Sequence, residues 1–304
     1  MKNKVVIAGA AIVDILVSPA ELDVFQTGSY PAETIHMSVG GDALNEATIL
    51  SKLGVDVRLE TVIGGDMAGE MLWNHCRQTG IEINTRCKRK EMDTGINVVL
   101  VKEDGERVFL TNPHGSLRKL SPGDIMLPFP EDAGILCFAS IFVFPMINDA
   151  EMASIFRQAK SQGMTVCADM TKCKNGETAA DIAESLKLID YLMPNKEEAM
   201  LVTQSSSVEE AAKCLLDAGV QNVVIKCGAD GCFVKNKECE MWITAEKDVV
   251  CVDTTGAGDS FAAGFIYGLH QGFSLEACAK YANQCGAKSV ARIGAADWSF
   301  QNDN

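Results

Sequence analysis

Strand-length apolar runs alternate with amphipathic helical windows along most of the chain, and this alternation constrains the fold more than any other feature. Runs at Val5–Ile7, Val57–Val62, Ile135–Ala139, Met164–Ala168, Tyr191–Met193, Val223–Lys226 and Val249–Val252 predict strands. Between them, helical windows at Ala43–Leu53, Met67–Thr79 and Val208–Ala218 stop at Gly54, Gly80 and Gly219, the residue type that best tolerates a left-handed helix end. Repeated βαβ order of this kind builds an α/β fold around a largely parallel sheet.

Two segments break the rhythm. Tyr30–Ser38 and Gly95–Thr111 alternate polar and apolar residues, and Glu103-Asp104-Gly105-Glu106 predicts a hairpin turn between Ile96–Val101 and Arg107–Thr111. These read as antiparallel strands outside the main sheet, a small β-lid whose strands return to the main body at Gly40 and near Gly115. The 304 residues are therefore read as one α/β domain, 1–304, with lid strands inserted at about 12–18, 30–40 and 92–112. No internal repeat or low-complexity tract is found.

Charge and cysteine usage exclude several classes. A net charge of −14 and a single basic triplet, Lys88-Arg89-Lys90, speak against a nucleic-acid binder. The 12 cysteines contain no C-x-x-C pair, so free thiols in a reducing cytoplasm are expected rather than a zinc or redox site. Lys2 and Lys4 before the apolar run Val5–Val13 imitate a signal peptide, but Asp14 cuts the run short and a buried first strand explains it better. The apolar stretch Ala133–Ile147 is too short to span a bilayer and contains Pro145; it reads as a central strand plus its exit loop.

The stretch from Val252 to Gly264 carries the clearest chemistry. A strand ends near Val252, small residues follow, and the stripe Phe261, Phe265, Ile266 and Leu269 starts a helix reaching about His270. Gly256, Ala257 and Gly258 then lie at a helix N-terminus, where unpaired N–H groups and the dipole form an anion hole. Asp259 sits in the first turn, where a capping carboxylate and a catalytic one are about equally expected from spacing alone. Its place beside a phosphate-sized hole favours a role in accepting a hydroxyl proton, with the helix dipole keeping it ionised. Phe261 breaks the dinucleotide fingerprint, and no segment matches the Walker P-loop.

Gly256-Ala257-Gly258-Asp259, with Asp253 ahead of it, resembles the C-terminal signature of the ribokinase-like (PfkB) carbohydrate kinases. Gly40-Gly41-Asp42-Ala43-Leu44-Asn45-Glu46-Ala47, running on to Leu53-Gly54, is similar to the family's di-glycine segment. The resemblance extends from Gly9 and Asp14 to Gly294. It implies a three-layer sandwich with a β-sheet lid, ATP and Mg²⁺ as cofactors, Asp259 as catalytic base and Gly256, Ala257 and Gly258 as the hole for the γ-phosphate. It further implies sugar contacts at Asp14, Gly40, Gly41 and Asn45, and nucleotide contacts at Asn195, Lys226, Gly228, Gly231 and Asn283. Asp14 alone reads equally as a turn residue, and Asn283 as an ordinary polar helix position.

Asn195-Lys196-Glu197-Glu198 resembles the family's N-x-x-E motif, so Glu198 is implied as an indirect magnesium ligand, while Glu197 reads as an exposed first-turn acid. A monovalent cation site, K⁺, is implied at Asp253 and Thr255 with a second loop at Arg292 and Gly294; Asp297-Trp298 departs from the ribokinase pattern there. Asp42 stands where ribokinase has a lysine, and Ile12 where it has an asparagine, which argues against ribokinase in the strict sense. Arg107 and His114 read as a solvated hairpin face that an acidic substrate could meet. The leading expectation is a cytoplasmic, ATP-dependent kinase acting on a hydroxyl of a small sugar. A nucleoside kinase and a non-catalytic sugar sensor are the alternatives. A homodimer through the lids is expected, with no nucleic-acid or membrane partner.

Overall fold

A computed structural model describes residues 2–20, 28–29, 31–102, 107–292 and 294–296. The expected turn at 103–106 and the departure at Asp297-Trp298 lie outside them.

Nine strands form the large sheet. From one edge to the other they are Glu240–Ile243 (β15), Cys232–Asn236 (β14), Asn222–Lys226 (β13), Tyr191–Leu192 (β12), Thr165–Met170 (β11), Ala133–Ile141 (β10), Lys4–Ala8 (β1), Asp56–Glu60 (β4) and Glu82–Ile83 (β6). From β13 to β6 every pairing is parallel; β14 and β15 add an antiparallel edge. Within β1, Val5 and Ile7 enter one core and Val6 and Ala8 the other, so both faces are buried and the strand reads as a continuous apolar run. One core takes the helices Asp42–Lys52 (α1), Met67–Thr79 (α2), Ala257–His270 (α7) and Leu275–Val290 (α8). The opposite core takes Asp149–Ser161 (α3), Ala183–Leu186 (α4), Lys196–Thr203 (α5) and Val208–Asp217 (α6). This is the expected three-layer α/β arrangement.

A second sheet has four strands in the order Thr34–Gly40 (β3), Ile12–Ser18 (β2), Ile96–Val101 (β8) and Arg107–Thr111 (β9). The predicted hairpin strands coincide with β8 and β9. The sheet is not purely antiparallel, however, because β2 and β8 run parallel. Two short strands, Ile63–Gly64 (β5) and Lys88–Arg89 (β7), pair separately.

Two further expectations are corrected. The run Val5–Val13 is not one strand: the chain leaves β1 at Ala8 and enters β2 at Ile12, in a different sheet. Val249–Val252 forms no strand; Val250 is 75% exposed and Val252 56% exposed, so their apolar character does not record burial. The edge of the sheet is supplied instead by β14 and β15. Among the described residues no helix is long and apolar enough to cross a membrane.

Candidate active site

The carboxyl ends of the parallel strands and the inner side of the small sheet enclose a cavity of about 770 Å³. Asp14 enters from β2, whose register sets it opposite Ser38 on β3 and Asn97 on β8. Asn97 bonds to the Asp14 carboxylate, and Thr111 Oγ1 donates to Asn97 Oδ1 at 2.8 Å, so a polar row crosses three strands. Burial raises the Asp14 pKa; the Asn97 bond opposes the rise and the nearby Asp259 charge adds to it. A Cβ on Gly40 would come within 2.9 Å of Asp14 Cγ and overlap Oδ2, so the absence of a side chain there makes room for the carboxylate.

Helix α1 begins with a sharp turn that only glycine suits: Gly41 has φ 95° and lies against Ala10, whose carbonyl oxygen a Cβ would approach to 2.6 Å. The turn aims Asp42 and Asn45 into the cavity. Asp42 Oδ1 accepts from the Ala43 N–H at 2.8 Å, and its Oδ2 accepts from the Ser140 hydroxyl at the end of β10. Desolvation, and after it the Asp259 charge, pushes the Asp42 pKa up to about 7. Asn45 Nδ2 donates to Asp259 Oδ2 at 2.7 Å, joining the two motifs across 214 residues of sequence.

Asp259 lies in the first turn of α7, behind the left-handed N-cap Gly256 (φ 70°). A Cβ at Gly256 would sit 2.6 Å from Ala295 Cα. The start of a helix leaves its first N–H groups without intrahelical acceptors; Gly256, Ala257 and Gly258 stand at this start, Gly256 in the cavity wall and the Ala257 N–H turned back to the Thr254 carbonyl at 3.3 Å. Lys226, at the end of β13, reaches this helix start: a Cβ on Gly258 would be 3.5 Å from its Nζ. Lys226 is anchored by Asp169 at the end of β11, a residue the motifs did not reveal. Burial raises the Asp259 pKa, against the bond from Asn45 and the charge of Lys226, so the helix dipole does not dominate as expected. The half-buried carboxylate is a stronger proton acceptor than a solvated one, with donors on both sides.

The remaining candidates divide into two groups. Asp14, Gly41, Asn45, Thr255, Gly256 and Asp259 share the cavity wall, together with Asp253 and Gly294. Asp253 is buried and clasps two loops, accepting from the Thr255 N–H at 2.8 Å and from the Gly294 N–H at 3.1 Å. Arg292 does not line the cavity. Asn195, Glu198, Lys226, Gly228 and Gly231 lie at the ends of β12 and β13. Asn195 caps α5, accepting from the Glu198 N–H at 2.9 Å while Glu198 Oε2 accepts from the Asn195 N–H at 2.8 Å. One Glu198 oxygen is thereby engaged in a capping box, and Glu197 pairs with Lys172 on the surface as expected. Gly228 (φ 59°) and Gly231 (φ 94°) shape the turn between β13 and β14. Asn283 does not present its amide to a cleft: buried, it donates to the carbonyls of Ile243 and Thr244 at 3.2 and 3.1 Å and braces the end of β15.

Among the described residues no group of three or more His, Cys, Asp and Glu side chains comes together to hold a metal. A cation that arrives with nucleotide phosphates and keeps most of its waters asks for less, and Glu198 beside Lys226 fits that demand.

A family model described as pfkB family carbohydrate kinase matches residues 2–302. The chain is 27% identical to a ribokinase of Staphylococcus aureus, over 97% of this chain and 96% of that protein. It is 30% identical to an ATP-dependent ribose-1-phosphate kinase of Halopiger xanaduensis, over 85% of this chain and 82% of the relative. Among solved structures, the ribokinase of Thermotoga maritima superposes with a TM-score of 0.78 at 25% identity, covering 96% of this chain and 94% of that one. An adenosine kinase from Sinorhizobium meliloti shares the fold with a TM-score of 0.81 at 22% identity, covering 97% and 96%. With the family model spanning nearly the whole chain and the ribokinase-like fold in place, the protein belongs to the pfkB family of carbohydrate kinases.

Proposed function

We propose that the protein transfers the γ-phosphoryl group of ATP to a hydroxyl of a small sugar held beneath the β2–β3–β8–β9 sheet, with Asp259 as the base. The observation that carries this is the Asp259 environment: a desolvated carboxylate, bonded to Asn45, in the same first helical turn as Gly256–Gly258 and near Lys226. The acceptor oxygen attacks the γ-phosphorus, the bond to the ADP oxygen breaks, and the hydroxyl proton passes to Asp259. The helix N-terminus and Lys226 receive the negative charge of the transferring group, as a loose phosphoryl-transfer transition state requires. Glu198 would hold, through water, the Mg²⁺ carried by the nucleotide, which would neutralise phosphate charge when bound.

Asp14, Asp42, Gly40, Gly41 and Asn45 hold the sugar, since carboxylates and amides match neighbouring hydroxyls. Asn195, Lys226, Gly228 and Gly231 line the nucleotide side. The small sheet acts as a lid on a single domain, because Asp14 and Asn97 belong to it and closing it would complete the sugar site while expelling water. Its outer strands expose Ile35 (72%) and Leu110 (52%) on the face turned away from the cavity, which supports pairing of two lids in a homodimer. The Asp253 clasp between its two loops supports a K⁺ site there. A nucleoside acceptor is the second reading, favoured by Phe109 and Phe142 in the cavity wall, on which a base would stack. Asp259→Asn tests the core assignment: phosphorylation in a coupled ADP assay should fall ~10²–10⁴-fold while ATP still binds by calorimetry. Turnover unchanged in that variant refutes it.

A further inference from the structure

The cavity is electrically two-sided. On the wall nearest Asp259 stand three carboxylates, Asp14, Asp42 and Asp259, which accept hydrogen bonds from hydroxyls when ionised. On another part of the wall stand Arg118 and Lys174, which can only donate. Arg118 ends the short 3-10 helix Ser116–Arg118 that carries the chain from the small sheet back to the main body, and Lys174 lies in the loop beyond β11. Neither side chain has an acidic partner among the described residues, although Lys226, Arg89 and Lys160 all do. Both side chains are exposed to solvent while lining the cavity, so they stand at its open side, where an acceptor's charged end can reach them. The wall also includes Phe142, at φ 75°, and Val143. A non-glycine residue held in the left-handed region marks backbone that the surrounding structure has fixed against its preference.

We infer that the acceptor carries an anionic group, a carboxylate or a phosphate, at the end remote from the reacting hydroxyl, and that Arg118 and Lys174 receive it. The inference rests on the kinase reading above and names its substrate class. A hydroxyl-rich segment bonds to Asp14, Asp42 and Asn45, the reacting hydroxyl faces Asp259, and the anion lies against the two cations. A guanidinium forms paired bonds to either kind of oxyanion, and an ammonium adds a point charge. Arg118 and Lys174 thus set specificity without touching the reacting atoms.

The test compares matched acceptors with saturating ATP: neutral aldoses and polyols, the corresponding aldonic and uronic acids, and their monophosphates. The anionic members should be turned over with kcat/KM at least ~10-fold above the neutral ones, the worth of a charge-assisted hydrogen bond. Whether acids or phosphates lead identifies the anion. In Arg118→Ala/Lys174→Ala the ratio of anionic to neutral kcat/KM should fall ~10–100-fold, while the KM for ATP stays within a factor of about two of wild type. Equal or better turnover of neutral sugars, or a double variant that keeps the full preference, overturns the inference and leaves the kinase reading standing. A drop that appears in the KM for ATP assigns the cations to the nucleotide and overturns it too. Silence across all three series by a protein that binds ATP overturns the kinase reading and the inference together.

Discussion

Gly40→Ala is the sharpest probe of the sugar end, because the added methyl group runs straight into one functional carboxylate. Its Cβ would lie 2.9 Å from Asp14 Cγ and overlap Oδ2, and the three heavy atoms nearest to it all belong to that side chain. Gly40 lies at the end of β3 without a positive φ, so alanine suits the backbone; replacing glycine in a strand is worth roughly 0.5–1 kcal/mol in its favour. The fold therefore keeps its stability while the carboxylate is forced to turn away. Losing one or two charge-assisted bonds to sugar hydroxyls costs about 1.5–3 kcal/mol, and ~1.4 kcal/mol is tenfold in an equilibrium or rate constant. The expected result is a ~10–100-fold drop in kcat/KM for the sugar, with an unchanged KM for ATP and a melting temperature no lower than wild type. A coupled ADP assay and a thermal melt measure all three. Sugar kcat/KM retained within a factor of about two, in a variant whose melt is normal, would refute the placing of Asp14 against the substrate.

Lys226→Met should lower kcat ~10²-fold by removing a donor at the phosphate hole, and should also destabilise the fold by about 3–5 kcal/mol because Asp169 is left buried without its cation. Adding Asp169→Asn should restore stability in a denaturant titration without restoring turnover; recovery of both would show that Lys226 is structural. Asp42 and Asp169 have pKa values pushed up to about 7 from an ordinary 3.8, so the folded state retains protons that the unfolded chain has released between those values. Their stabilising contribution is complete below about pH 4 and lost as pH rises through about 7, so the melting temperature of the ligand-free protein should fall from pH 5 to pH 8. Asp42→Asn should flatten that slope, and a melting temperature that climbs across the interval contradicts the assignment. Ile35→Glu combined with Leu110→Glu should convert a lid-paired dimer to monomer by light scattering; an unchanged mass rules out that interface.

What could be read from the chain followed how local its physics was. The β8 and β9 strands were legible to the residue because alternation and a turn between them are neighbouring properties. Helix α2 was legible at both ends because Gly80 takes the left-handed stop. The start of α7, with Asp259 in its first turn, was legible for the same reason: glycines, a small residue and an acid occupy one turn. Val249–Val252 misled because hydrophobicity was equated with burial, and those valines are largely exposed. Asp169 and Ser140 could not be found, since each is an isolated polar residue at the end of an apolar strand and acquires meaning only across the sheet. The Lys226–Asp169 pair spans 57 residues and the Ser140–Asp42 pair 98. The one available signal was their position at the carboxyl ends of predicted parallel strands, where open α/β sheets bind ligands.

The acidic balance of the chain bears on the site differently from the way it bears on partners. A net charge of −14 repels nucleic acid through many phosphates at once, whereas one triphosphate responds to the few donors within reach of it. Those donors are themselves organised by acids. Asp169 and Glu198 both raise the affinity of Lys226 for its proton, so the lysine remains charged although its side chain is only 12% exposed. Asn45 is held against Asp259, and the next residue, Glu46, is fully buried with its pKa pushed well up, accepting only the Cys137 thiol at 3.3 Å. With Asp42 and Glu46 both shifted toward the neutral form, the site carries less negative charge than its composition implies. Proton uptake by buried carboxyls, rather than a surplus of basic residues, would let an acidic chain present the phosphate-binding surface proposed above.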